Sequence, residues 1–322
     1  MRVRNDFMWA TLVHIGTNMW FEENNRIRSE QKNIWKVPAS AKLRFDRAVW
    51  DRYLLKLKQS GVNTLIIDVA EALQYKSYPE LATEGAWSRE EWEQELSRLD
   101  NMGFEVVPKL NFSTTHDVWL GRYAYMVSTE EYYDVCKAVI DEVADIFKSR
   151  FIHIGMDEEG YELQKDYNYA VVRHNEQWWH DLRFLADCVE KNNARAVMWS
   201  DYAREHTDEY IKNCPKSIVQ CVWYYGDTFG DYLPWESEIR VRLFKLFDRE
   251  GFDMLPAGSI VYHENNFELL CKYCRENISK QHLLGFLQTT WDSVEQEWEG
   301  ALSKGCDTVK TARESFEGKA QS

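Results

Sequence analysis

"FIHIGMDEEG", residues 151–160, decides how the rest of this chain is read. Phe151, Ile152 and Ile154 give the near-continuous apolar run of a strand buried on both faces. Gly155 and Met156 follow, and then three acids in a row: Asp157, Glu158 and Glu159. Unpaired carboxylates are too costly to leave inside a core, so the acids belong to a strand end. In a parallel sheet covered by helices, the C-terminal strand ends are where functional side chains collect. The stretch therefore predicts a buried parallel strand with an acidic tip, and repeated strand–helix units on either side of it.

The flanking sequence repeats that unit. Upstream lie "FMWATLVHI" (7–15), "VNTLIIDVA" (62–70) and "FEVVPKLNF" (104–112); the fourth strand covers 150–157. Downstream lie "RAVMWSD" (195–201), "SIVQCVWYY" (217–225), "FDMLPAGSI" (252–260) and "LLGFLQTTW" (283–291). Helical periodicity fills the gaps. Residues 47–60 follow the N-cap candidate Asp46 and stop at Gly61, and "SREE" (88–91) and "STEE" (128–131) read as capping boxes. Trp178, Leu182, Leu185 and Val189 stripe a helix behind a cap at Asn175, and a short helix covers 207–213. Ile239–Phe247, a segment capped by Asn266, and a last helix from Val294 to Phe316 complete the set. Eight such units predict an α/β fold, a single closed (β/α)8 TIM barrel over residues 1–322, and argue against an open doubly wound sheet. No GxGxxG or GxxxxGK[ST] pattern is present, which speaks against a nucleotide site. Segments 16–45, 71–87 and 113–127, after strands one to three, are long and polar, whereas the turns after helices are short. The binding face is therefore expected at the strand C-termini.

Composition narrows the partners. The chain is 44% hydrophobic and 29% charged, with 39 Lys plus Arg against 53 Asp plus Glu, a formal charge of −14. Such an acidic surface repels nucleic acid and anionic membranes, and no run approaches the roughly 18 apolar residues of a membrane span. The N-terminus reads as a first strand rather than a signal peptide. A cytoplasmic protein, or an exported one whose signal has been removed, both stay open. The seven cysteines are read as buried thiols, including the CxxC at 271–274, which lies in a helical pattern without a second pair.

The strand ends carry His14; Asp68 and Glu71; Asn111 and His116; Asp157, Glu158 and Glu159; Trp199 and Asp201; Trp223, Tyr224 and Tyr225; Tyr262, His263 and Glu264; and Gln288, Trp291 and Asp292. Acids and aromatics dominate. Flat rings stack on pyranose faces, polar groups bond hydroxyls, and paired carboxylates cleave acetals. In such a pair one carboxyl, raised in pKa by burial beside tryptophan, stays protonated as the acid.

"HIGMDE" (153–158) resembles the His-x-Gly-Gly-Asp-Glu motif on the fourth barrel strand of family 20 glycoside hydrolases, the β-N-acetylhexosaminidases. Met156 stands where that family usually has a second glycine. "VPKLNFSTTH" (107–116) is similar to a diverged form of its third-strand segment, with Pro108 and His116 in place. "VMWSD", "VQCVW" and "LLGFLQTTW" resemble the tryptophan-bearing strand ends that wall its sugar pocket. The resemblance implies a retaining, substrate-assisted hydrolase of N-acetyl-hexosaminides, without cofactor or metal, in which the substrate's own acetamido group is the nucleophile. It implies that Asp157 orients that group and that Glu158 is the general acid and then the base. His116, His153, Trp199, Asp201, Trp223, Tyr262, Trp291 and Asp292 would contact the sugar, with Tyr262 on the acetamido oxygen and Asp292 as the acid nearest Trp291. Glu159 would stand outside the chemistry, touching hydroxyls at most. The family's first-strand arginine has no counterpart in "LVHIGTNMW", and the small domain that usually precedes the barrel is not expected here. Two further readings stay open: a carbohydrate-binding pseudoenzyme on the same barrel, and a metal-dependent hydrolase using His14, His153, Asp157 and Asp292, for which no HxH or HExxH spacing exists.

Overall fold

A computed structural model describes residues 3–22, 37–165, 167–230, 233 and 235–318. The strands are β1 (Met8–His14), β2 (Thr64–Asp68), β3 (Glu105–Lys109), β4 (Phe151–His153), β5 (Arg195–Trp199), β6 (Val219–Cys221), β7 (Ala257–Ser259) and β8 (Gly285–Thr289). They form one parallel sheet in the order β6-β5-β4-β3-β2-β1-β8-β7. Parallel bridges Gln220–Met254 and Trp223–Ala257 bring β6 to β7 and close it. Helices α1 (Arg47–Ser60), α2 (Arg89–Asn101), α3 (Glu130–Phe147), α5 (Asn175–Lys191), α8 (Trp235–Arg249), α9 (Asn266–Asn277) and α10 (Glu299–Phe316) ring the sheet, with short α4 (Tyr161–Gln164), α6 (Tyr202–Glu205) and α7 (Thr207–Asn213) between them. This is the expected (β/α)8 barrel. No helix among the described residues is long and apolar enough to cross a membrane.

Local chemistry sets most boundaries. Asp46 accepts from the Ala48 and Val49 amides, and Gly61 ends α1 at φ 83°, a left-handed stop that glycine adopts freely. Ser88 makes the reciprocal capping box with Glu91. At 128–131 the expectation fails by one residue: Thr129 is the N-cap, and Ser128, at φ 65°, donates to Asp181 instead. Asn175 does not cap α5 but is its first residue. Asn266 likewise sits inside α9; its amide bonds the Ser259 N–H and the carbonyls of Tyr224 and Gly226, tying the ends of β6 and β7 together. Strands β4, β6 and β7 are shorter than the sequence suggested. Pro256, which has no N–H to give, immediately precedes β7. After β4 the backbone turns out through Gly155 and Met156, at φ 78° and 71°. Of the long segment after β1, residues 23–36 lie outside the described residues. The seven cysteines are buried and unpaired.

Strand alternation splits the core in two. Trp9, Val13, Leu65, Ile67 and Ile152 pack outward against the helices. Met8, Ala10, Leu12, Ile66, Val107, Phe151, Val197, Val219 and Leu287 fill the barrel. Continuing the inward parity to the strand ends gives His14, Asp68, Lys109 and His153. The register pairs His14 with Asp68, Asp68 with Lys109, and Lys109 with His153. These four form one lateral row across β1–β4, and all are buried. Lys109 Nζ contacts Asp68 Oδ2 directly, and His14 Nδ1 lies 3.6 Å from the same oxygen.

Candidate active site

Above that row the barrel mouth holds a cavity of about 180 Å³, lined by Trp20, His116, Asp157, Glu158, Trp199, Trp223, Tyr225, Val261, Tyr262 and Trp291. Seven of the ten residues named from the sequence meet there, from β3, β4, β5, β6, β7 and β8 ends. The Trp199 and Trp291 rings are tilted by 41° with centroids 5.8 Å apart, and those of Trp223 and Tyr225 by 36° with centroids 4.9 Å apart. The Trp291 Nε1–H donates to the Tyr225 hydroxyl at 3.2 Å, which fixes the corner between β6 and β8.

The two carboxylates differ in setting. Asp157 is buried: burial alone would raise its pKa, but His116, Lys109 and an Asn111 amide contact of 3.2 Å outweigh that and hold it at about 2. His116 stands between the acids, with Nδ1 3.5 Å from Asp157 Oδ2 and Nε2 3.6 Å from Glu158 Oε2. Its burial disfavours the imidazolium, yet Asp157 and Glu158 prevail and raise its pKa. Glu158 is partly open, its side chain 32% exposed, on a backbone at φ 54°.

The turn that presents this pair explains Met156. A Cβ at Gly155 would collide with the Asn111 side chain, so glycine is required there. Met156 needs no such room, but its positive φ costs about 1–2 kcal/mol. Burying its side chain, worth about 1.5–3 kcal/mol, offsets that cost. Its sulfur also accepts from Arg173 Nη2 at 3.4 Å.

Glu159 does not face substrate hydroxyls. Arg173 grips it through Nη2–Oε1 at 2.6 Å and Nε–Oε2 at 3.1 Å, and the Thr114 amide adds a third bond. Arg173 also reaches Asp181 at 2.9 Å and the Phe112 carbonyl at 2.6 Å. One buried guanidinium thus pins the β4 loop to the β3 end and to α5.

Three residues named from the sequence lie outside the cavity. His153 belongs to the sealed row below it; its Nδ1 accepts from the Gly155 amide at 3.1 Å and its ring packs on Trp199 at 4.8 Å. Burial and Lys109 lower its pKa to about 3, so it is a neutral floor piece. Asp201 is turned away from the cavity and supports Trp223, accepting its Nε1–H at 2.8 Å and pairing with Arg204 at 2.7 Å. Arg240 stacks on the same indole at 3.8 Å. Asp292 sits beside Trp291 outside the lining, its carboxyl pushed up to about 7 by burial. Conversely, the sequence reading did not single out Trp20 or Val261, and it named Tyr225 among the strand ends without giving it a place in the site. That place was findable, since Tyr225 lies two residues after Trp223 and so on the same strand face. Trp20 comes from the loop after β1 and carried no periodic signal. Among the described residues no group of three His, Cys, Asp or Glu could hold a metal.

Asp117, next to His116, is buried, and its Oδ2 has no hydrogen-bond partner. Burial, opposed by Arg173 and reinforced by Glu159, pushes its pKa up to about 8. Between its unfolded value near 3.8 and that folded value, the unfolded chain has lost this proton and the folded chain keeps it. This contribution to stability therefore falls as pH rises through that window. Asp117→Asn cannot ionise. Its urea midpoint is expected to fall less than the parent's between about pH 5 and about pH 8; equal falls would show that Asp117 does not titrate there.

The fold and the mouth define a class first: a closed (β/α)8 barrel with acids and tryptophans at its C-terminal face. Residues 105–229 match the family model "Glycosyl hydrolase family 20, catalytic domain", a segment that contains His116, the whole "HIGMDE" turn, Trp199 and Trp223. Nearly the whole chain superposes on solved structures of that kind. A β-N-acetylhexosaminidase from Bacteroides fragilis is 16% identical at TM-score 0.59, over 98% of this chain and 71% of that one. An exo β-N-acetylglucosaminidase from Vibrio harveyi, in complex with N-acetylglucosamine, is 12% identical at TM-score 0.61, over 98% and 58%. A β-N-acetylhexosaminidase from Streptomyces coelicolor is 14% identical at TM-score 0.60, over 95% and 64%. No curated protein matches the chain. It is a divergent barrel resembling the family 20 glycoside hydrolases, and it spans 58–71% of the length of these three structures.

Proposed function

We propose that the chain is a retaining glycoside hydrolase acting on N-acetyl-hexosaminides. The observation that carries this is the pairing of a buried, ionised Asp157 with a partly open Glu158 across one histidine, in a cavity walled by four tryptophans. Asp157 accepts the acetamido N–H and stabilises the positive charge that develops as the acetamido oxygen attacks the anomeric carbon. Glu158 gives its proton to the leaving oxygen and then takes one from water. Tyr225 takes the part that the sequence reading gave to Tyr262. Its hydroxyl accepts from Trp291 and Thr289 and has its own proton to donate to the acetamido oxygen, whereas Tyr262 is 72% exposed at the rim.

A panel of aryl glycosides, N-acetylated and not, tests the reading. Turnover is expected only where the 2-acetamido group is present. Asp157→Asn keeps the shape but loses the charge, and should slow that turnover by roughly 10²–10³, the usual worth of one preorganised electrostatic partner of the transition state. Equal rates on 2-hydroxy and 2-acetamido substrates would remove the acetamido from the mechanism. Calorimetric binding of N-acetyl sugars with no turnover on any substrate would favour the pseudoenzyme.

A further inference from the structure

Lys109 is fully buried at the top of β3 and has no part in the chemistry proposed above. An ammonium is costly to bury, and the apolar layer just below it shows that this barrel can be filled without one. We propose that Lys109 is a positioning residue for the catalytic pair and acts on it through His153 and the turn at Gly155. The inference rests on the hydrolase reading.

The turn that carries the pair is a demanding one. Gly155, Met156 and Glu158 all have positive φ, at 78°, 71° and 54°. Met156 and Glu158 bear side chains that resist this conformation, so the turn persists only where its surroundings over-determine it. Gly155 is tied at both of its polar backbone groups: its carbonyl accepts from the Trp199 N–H at 2.9 Å, and its N–H donates to His153 Nδ1 at 3.1 Å. The second bond needs a bare Nδ1, hence a neutral ring whose one proton sits on Nε2. An imidazolium would set two N–H groups against each other and loosen the turn that aims Asp157 and Glu158.

The charges around His153 decide its state. Lys109 is its register partner on β3, one strand away, or roughly 4.8 Å. Asp68, which pairs with the ammonium from β2, is two strands away, and His14 on β1 is three. From the β4 loop Asp157 favours the imidazolium, as does Asp68, while β5 presents only the Trp199 ring. Burial and the nearer Lys109 prevail. Lys109 acts in the same sense on Asp157, adding to His116 in holding that carboxylate ionised. Asn111, two residues along β3 and on the same face, bonds Asp157 Oδ1 at 3.2 Å. One buried cation thus guards both the shape of the turn and the charge on Asp157 against acid.

Two measurements test this. In the parent, imidazole nitrogen shifts should show His153 with a bare Nδ1 through the range where an ordinary histidine protonates, around pH 6.5, and on down toward about 3. Lys109→Met combined with Asp68→Asn removes the ion pair without stranding either charge. In that variant the acid limb of kcat/KM on an aryl N-acetyl-hexosaminide should move up by roughly one pH unit, and His153 should begin to protonate at a higher pH than in the parent. The position of the limb is read, not the height of the profile. An ordinary histidine titration in the parent overturns the proposal without any variant. So does an unmoved acid limb, or one that moves while His153 stays neutral throughout. A parent inactive on every N-acetyl-hexosaminide would instead remove the hydrolase reading, and this role with it.

Discussion

Glu158→Gln is expected to lower kcat on aryl N-acetyl-hexosaminides by roughly 10²–10⁴, the usual worth of a positioned general acid or base. Glutamine has nearly the same shape, so the loss is chemical. The side chain is partly exposed, so no buried group is stranded by the change. His116 keeps its other neighbour, Asp157, at 3.5 Å, and the tryptophan walls are untouched. Binding of a free N-acetyl sugar should therefore persist within a few-fold. The defect should also shrink as the leaving group becomes a better one, because a good leaving group needs less help from a proton. A variant with parent-like kcat across a series of aryl leaving groups would take the proton-transfer role away from Glu158.

Arg173→Met should destabilise the fold by about 3–5 kcal/mol, the cost of breaking a buried ion pair from one side. The guanidinium and both its acidic partners, Glu159 and Asp181, are almost fully buried. Methionine leaves two carboxylates without a counter-charge and the Phe112 carbonyl without its donor. Adding Glu159→Gln should recover part of the loss, because it removes one stranded charge, so the two changes are not additive. Urea unfolding of the single and double variants measures this. A single variant within about 0.5 kcal/mol of the parent would mean that water reaches the clamp.

Much of the barrel was legible because it rests on short-range rules. Alternating runs, caps such as Asp46 and Ser88, and stops such as Gly61 act within a few residues. Where the sequence misled, the deciding contact was distant. Ser128 has the chemistry of a cap but spends its hydroxyl on Asp181, 53 positions away. Asn266 looks like a cap but joins two strand ends. For the site, strand-end composition found the acids and three of the four tryptophans. It could not separate what faces the cavity from what lies beneath or behind it, so His153 and Asp201 were read as contacts when they are supports. Arg173 gave no signal, since its four partners converge only after β3, β4 and α5 have assembled.

The row His14–Asp68–Lys109–His153 also acts as a register key for half of the barrel. A slip of one residue in β3 would turn Lys109 out among the apolar side chains beneath the helices and leave Asp68 facing an aliphatic neighbour. Either strand can satisfy its charge only when the other is in its native alignment, so mispaired sheets carry a stranded ion and revert. The apolar residues lower in the barrel would accept such a slip far more readily.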